Sequence, residues 1–421
     1  MKRKTAFLPS LILLLSFSLP GCIGLLPLDE KPVAGDYGPS YSPQEHQARV
    51  FQALWTHLQD NYIYYESANV DWEALNKKYL ERINAGLSNE QFAEMINDLQ
   101  SELPSGSLTY QSRAERIEAE TTDLSTYDGI GAFIGFSEDP VPHIILLSVI
   151  EGSPAEQAGL KAHDSILEID GNPILLEEGL NAVNRIRGPA GSSVTLNVQS
   201  PGKEQRSIEL QRAKLTSTGK LESSMVPGTD FGYLLFPPIG YDTMVEDVLA
   251  SLQTFTTNRT LEGLILDLRI AGSARGWPLE ELLTMFHDGN VGEFYNSAKQ
   301  KQIININGQD SFSSQSVPLI ILVGQNTSGF PEILAASLQV GNRAKVVGAN
   351  TPGSVETTTS FYLPNGARIF IESASFRLLN GEEIGNSGVK PNVQIEAGWD
   401  QVLPNSDPVL ETAIELLDVL E

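Results

Sequence analysis

The sequence predicts an α/β multidomain protein in three parts: an N-terminal helical bundle, a β-rich middle domain, and a larger core in which strands and helices alternate. Three observations carry this. Apolar residues recur at helical spacing over 43–122, and short glycine-bounded apolar runs follow over 125–213. From 214 to 421, apolar strand-like runs alternate with helical stretches, the pattern of an α/β core with a C-terminal helix. The chain has 421 residues, 41% of them hydrophobic and 19% charged, an ordinary globular composition whose length suggests two or three domains.

The N-terminus carries an address. Lys2, Arg3 and Lys4 precede an apolar stretch from Ala6 to Leu19 that only Pro9, Ser10, Ser16 and Ser18 interrupt. Residues 1–21 therefore read as a secretory signal, too short for a comfortable transmembrane helix. The stretch closes in Leu19-Pro20-Gly21-Cys22, and Cys22 is the only cysteine. This segment resembles the lipobox of bacterial lipoproteins, which implies acylation of Cys22 and attachment to a membrane. A plain cleaved signal with an incidental cysteine is the alternative. Ile23, rather than aspartate, follows the cysteine, so the expected location is the cell envelope, at the periplasmic face of the outer membrane. Residues 22–42, rich in Pro, Gly and Ser, read as a flexible tether.

Charge and residue counts exclude several classes. Against 28 Lys and Arg stand 53 Asp and Glu, a net charge of −25 that disfavours nucleic acid and anionic headgroups. The five histidines (His46, His57, His143, His163, His287) are scattered without metal-ligand spacing, so no metal site and no cofactor is expected. With Cys22 committed to lipid, no internal disulfide can form and the fold rests on its core.

Over 43–122, Phe51, Leu54, Trp55 and Leu58 repeat at helical spacing, as do Phe92, Met95, Ile96 and Leu99. Asp71-Trp72 opens a helix, and Ser88 with Glu90 and Gln91 opens another. Such a bundle would pack on something larger.

The middle domain begins with Gly129-Ile130-Gly131-Ala132, followed by a strand over His143 to Val149. Then come Gly152-Ser153-Pro154-Ala155, Ala158-Gly159-Leu160 and Asp164 to Gly171, a helix from about Glu177 to Arg187, Arg187-Gly188 with Gly191, and a strand Ser193 to Val198. These motifs, in this order, resemble a PDZ domain of the bacterial protease type. The resemblance implies that an extended peptide adds to a sheet edge, with Gly129, Ile130, Gly131 and Ala132 presenting backbone N–H groups to its carboxylate. Glycines that serve only turns are the alternative.

In the core, strands are expected over Asp230 to Phe236, Gly263 to Leu268, Pro318 to Val323 and Ala344 to Val347, with helices over Thr243 to Leu252, Pro278 to Phe286 and Glu332 to Gln339. The blocks Val70-Asp71-Trp72, Phe231-Gly232-Tyr233, Leu264 to Arg269, Gln339 to Gly348, Thr351-Pro352-Gly353 and Gly388 to Asn392 resemble the C-terminal-processing (tail-specific) serine protease family. That family implies a serine nucleophile three residues before a helix-starting glutamate and a lysine base in T-x-G-K. Here alignment on Glu332 puts Gly329 at the nucleophile position, and alignment on Thr351-Pro352-Gly353 puts Ser354 at the lysine position. Ile270 to Ala274 lacks one of the family's paired glycines, and Ser105-Gly106-Ser107 lacks the histidine of D-G-H-[ST].

A glycine is no nucleophile and a serine hydroxyl no base near neutral pH. The expectation is therefore a peptidase homologue that binds polypeptide C-termini through its PDZ groove with its own chemistry lost. One alternative is an active serine endopeptidase using Ser328, with Lys345, Glu332 and Glu356 the bases nearby in sequence. Another is an envelope scaffold whose PDZ domain holds a partner protein.

Overall fold

The computed structural model describes residues 42–419, apart from 122–125, 217–218, 274–275, 386 and 404. The signal, Cys22 and the tether up to residue 41 lie outside the described residues.

Ser42 caps α1 (Pro43–Asn61), accepting from the Glu45 N–H while Glu45 returns to the Ser42 N–H. Asp71 caps α2 (Trp72–Asn84) by accepting from the Ala74 N–H, and Ser88 caps α3 (Asn89–Glu102) in the same reciprocal way with Gln91. A short strand β1 (Thr109–Gln111) and α4 (Arg113–Thr121) complete this region. The apolar faces of α1 to α3 meet around Phe51, Tyr79 and Met95, and close over Phe361, Ile369 and Ile371 from the C-terminal half of the chain. The bundle is thus continuous with the core through a shared apolar layer. No described helix is long and apolar enough to cross a membrane.

The middle domain holds β2 (Thr126–Gly129), β3 (Ala132–Ser137), β4 (His143–Val149), α5 (Pro154–Gln157), β5 (Ser165–Ile169), β6 (Asn172–Pro173), α6 (Val183–Ile186), β7 (Ser193–Gln199), β8 (Arg206–Gln211) and β9 (Ala213–Thr216). Its sheet runs β3-β4-β5-β7-β8, and β3 is an edge strand. The helix expected over 177–187 is instead a 3-10 helix, Leu176–Ala182, leading into α6. Gly179 breaks it, because φ 51° and ψ −137° leave the helical region where only glycine is comfortable. Leu175, Leu176 and Leu180 stay exposed beside that break.

In the core, β10 (Glu222–Met225), β11 (Phe231–Leu235), β12 (Gly263–Asp267), β15 (Leu319–Val323), β16 (Lys345–Gly348) and β19 (Val393–Gln394) form one sheet in the order β10-β11-β12-β15-β16-β19. Pairing is parallel from β11 to β19. Helices α7 (Met244–Thr256), α8 (Leu279–Phe286), α9 (Phe330–Val340) and α10 (Pro408–Asp418) cover it, and β12 and β15 are buried along their whole length. A second sheet of β13 (Gly289–Asn296), β14 (Lys301–Ile306), β17 (Thr357–Tyr362) and β18 (Arg368–Leu378), with β1 at its end, lies beneath the helical bundle. The sequence reading named none of its strands.

Candidate functional site

The C-terminal ends of β12 and β15 meet at two loops, 268–273 and 324–329. In α/β sheets this is where sites form. The loops are stitched together: Thr327 Oγ1 donates to the Leu268 carbonyl at 2.8 Å, and Gly272 bridges Ser328 in parallel register. Gly329 then caps α9 with φ 73° and ψ −129°, a conformation in which any side chain is strained. A Cβ added at Gly329 would overlap the hydroxyl of Ser273. Thus Ser273, which stands in place of a glycine in the family pattern, fills the space that the resemblance reserves for the nucleophile's side chain.

Oxyanion stabilisation needs backbone N–H groups that are free and aimed at the reacting carbonyl. Four in this neighbourhood are already engaged. The Gly272 N–H donates to the Pro238 carbonyl (3.2 Å), that of Ser273 to Ser328 (3.1 Å), and that of Ser328 to Ala271 (3.0 Å). The Gly329 N–H donates to Glu332 Oε2 (2.9 Å).

Glu332 is fully buried at the third position of α9. Besides Gly329, its carboxylate accepts from the Thr351 hydroxyl, from the Gly353 N–H at 2.6 Å and from the Ser354 N–H at 2.8 Å. Burial raises the carboxyl's pKa, and these donors pull it part of the way back. Glu332 therefore locks the helix start to the loop that carries Ser354. Ser354 itself is exposed.

Ser328 Oγ makes no hydrogen bond with a described residue. Lys345 is exposed at the start of β16. Glu356 is occupied elsewhere, accepting from the Tyr64 hydroxyl and from Ser375 Oγ at 3.3 Å. The structure brings Ser328, Gly329, Glu332 and the Ser354 backbone together, but leaves the three proposed bases out of hydrogen-bond reach of Ser328.

The histidine-lacking turn has its own consequence. Gly106, at φ 79°, has no room for a side chain because the Glu372 carboxyl lies against it. Burial, with the neighbouring Glu356 charge adding to it, pushes that carboxyl up to about 7.

A buried charge cluster holds loop 268–273 from below. Arg269 pairs with Asp267 (2.6 Å) and Asp407 (2.7 Å), Tyr233 donates to Asp267 (2.7 Å), and the guanidinium lies 5.0 Å from the Trp399 ring. Trp399 joins the core to the middle domain. It packs with Ile145, Leu147 and Ile270, and its indole N–H donates to the Leu147 carbonyl at 3.1 Å. On either side, His143 Nε2 meets Asp400 (3.1 Å) and His163 Nδ1 meets the Trp399 carbonyl (2.7 Å). Burial pushes the His143 imidazole down, but Asp400 and the Val141 carbonyl outweigh it, so its pKa is raised. That of His163 is lowered by burial.

The second candidate site is the start of β3. Ile130 is buried in the middle-domain core, and the carbonyls of Ile130 and Gly131 accept from Ala155 (2.8 Å) and Ile150 (2.9 Å). Gly131, at φ 90°, presses on Ser153 so closely that a side chain would overlap it. The N–H groups of Ile130 and Gly131 donate to no described residue. Gly129 ends β2 and Ala132 begins β3, so the four residues form a turn that opens at the free edge of that strand.

Sequence reasoning missed Ser273 as an occupant, Glu372, and the Trp399 contact. The first was visible only as a lost glycine. The other two depend on contacts between segments more than 200 residues apart, which no local pattern encodes.

Comparison with known proteins adds to this geometry. A family model for peptidase family S41 matches residues 230–395, one for a PDZ domain matches 145–212, and one for the tricorn protease C1 domain matches 43–101. The chain is 27% identical over 336 residues to the carboxy-terminal processing protease CtpB of Bacillus subtilis, covering 77% of this chain and 66% of that protein. It is 26% identical over 386 residues to a carboxyl-terminal-processing protease of Synechocystis, covering 89% and 87%. Among solved structures, the photosystem II D1 C-terminal processing protease shares the fold with a TM-score of 0.64 at 22% identity, over 90% of this chain and 98% of that one.

Proposed function

The chain belongs to the C-terminal-processing protease family and carries that family's PDZ domain, and from that premise we propose that it is a lipid-anchored envelope protein that binds polypeptide C-termini without cutting them. The observation that carries the binding reading is the open edge of β3, which starts at two unengaged N–H groups. Main-chain pairing along such an edge supplies affinity, and a turn of free N–H groups receives the carboxylate.

The loss of peptidase chemistry is supported by the other site. Gly329 offers no hydroxyl, Ser354 no amine, and the N–H groups around them are engaged within the loops. The remaining Ser328 hydroxyl has no described base within hydrogen-bond reach. Lipid on Cys22 would confine the PDZ groove to the membrane surface.

Purified protein is to be incubated with a fluorophosphonate probe and with unfolded substrates bearing apolar free C-termini. The expected result is saturable substrate binding without labelling or cleavage. Labelling abolished by Ser328→Ala or Ser273→Ala would overturn the inactive reading. Fatty-acid labelling of wild type and Cys22→Ser tests the anchor, with membrane release of the variant expected.

A further inference from the structure

Between the PDZ domain and the core lies a cleft of about 550 Å³. One wall is the end of β3, Phe136 and Ser137, and the turn beyond it; the other is formed by Asn326 and Trp399. Gly135 of β3 lies so close to Asn326 that a side chain there would overlap the amide oxygen. The edge strand thus runs directly into the cleft.

A peptide whose carboxylate sits at Gly131 has its terminus at the start of β3, so it must run antiparallel to that strand. Residues upstream of the terminus then advance toward the cleft at about 3.3 Å each. β3 spans Ala132–Ser137, so the side chain about five to seven positions before the carboxylate arrives between Phe136 and Trp399.

The charges it meets there are negative. Arg269 lines the cleft, but its guanidinium is held by Asp267 and Asp407. Asp400 is held by His143. Glu138, Asp139 and Glu396 also line the cleft, all three are exposed, and none forms an ion pair with a described residue. Phe136, half-buried at the edge of the cleft, offers apolar surface against which the stem of a long cationic side chain can lie.

We infer that this cleft is a specificity subsite for a lysine or arginine of the bound polypeptide, about six residues before its free carboxylate. The inference rests on the PDZ-binding reading above. It assigns the ligand class more narrowly: a C-terminal segment with an apolar end and a basic residue one β-strand upstream.

The test uses the full chain in detergent and fluorescent decapeptides with one common apolar C-terminus. Lysine, alanine or glutamate occupies the sixth residue from the end, and each peptide is made with a free or an amidated C-terminus. The lysine peptide should bind about tenfold tighter than the glutamate peptide. That preference should shrink below about twofold in Glu138→Gln/Asp139→Asn/Glu396→Gln, with alanine-peptide affinity unchanged. A control of equal charge change on the helical bundle, Glu73→Gln/Glu81→Gln/Glu94→Gln, should keep it. Equal binding of lysine and glutamate peptides, with amidation still abolishing binding, overturns the subsite and leaves the PDZ reading standing. A lysine preference that survives in the cleft variant, or vanishes in the remote control, overturns it too. Failure of every free-carboxylate peptide to bind overturns both.

Discussion

The hydroxyl of Ser273 occupies the space directly above Cα of Gly329, so the two positions are mutually exclusive for side chains. Introducing a serine at 329 alone must therefore displace Ser273 as well as strain a residue at φ 73°. Gly329→Ser is expected to destabilise by about 1–3 kcal/mol. Ser273→Gly in the same chain should recover at least about 0.5 kcal/mol of it as coupling. Urea denaturation of both single variants and the double closes the cycle, and strict additivity would disprove the steric relation.

Glu332 offers acceptors to three N–H groups and a hydroxyl in a site without water access. Glu332→Gln replaces one acceptor oxygen by a donor facing other donors. The expected cost is about 2–4 kcal/mol, from unsatisfied groups and a lost charge-assisted set. Hydrogen exchange should rise at Gly353 and Ser354, the N–H groups released.

Glu372 makes stability fall as pH rises. In the fold its carboxyl keeps its proton up to about 7, against an ordinary value of 4.5. Between those values the native state binds more protons than the unfolded chain, so the contribution is intact below 4.5 and is lost as pH climbs to about 7. Glu372→Gln should flatten this slope and raise stability at pH 8 by roughly 1–2 kcal/mol, the nominal value reduced for partial solvent access. Thermal melts across pH 4 to 8 with an unchanged slope in the variant would rule this out.

Docking of the PDZ domain depends on Trp399. Trp399→Ala removes the indole from Ile145, Leu147 and Ile270 and should cost about 3–5 kcal/mol. Its readout is protease sensitivity around residues 397–403, which should rise while the PDZ core stays protected. His143, with its pKa raised beside Asp400, supports docking fully below about pH 6.5 and less as pH rises through its folded value. His163 acts in the opposite sense, weakening docking as pH falls below 6.5. His143→Gln should remove the alkaline loosening and leave the acidic one, as read by small-angle scattering against pH.

The legible parts of the fold were those encoded locally. Asp71 and Ser88 announced helices because capping uses the residue itself, and Leu319 to Val323 announced a buried strand because nothing polar interrupts it. The antiparallel strands β17 and β18 were hidden because Thr359, Ser360, Ser373 and Ser375 are buried polar residues within them. Their hydroxyls bond to one another and to nearby groups, as Thr359 does to Ser373, so strand burial is not written as hydrophobicity. At the site, Gly329 and Ser354 were readable as candidate positions by alignment. The compensations at Ser273, Glu332 and Trp399 were not, since each depends on which distant backbone lies opposite.

Trp399 also imposes an order on how the molecule is made. The PDZ domain has its own apolar core, formed by residues between 130 and 210, and can close as soon as those residues are available. Its attachment to the core reaches 252 residues down the chain, from Leu147 to the Trp399 indole, which leaves the ribosome long after the domain itself. During synthesis the domain therefore waits, closed but undocked, with its Ile145 and Leu147 face bare until Trp399 arrives. A nascent chain arrested before Trp399 would present a finished PDZ domain without its docking partner, and with it an exposed apolar face for chaperones to cover.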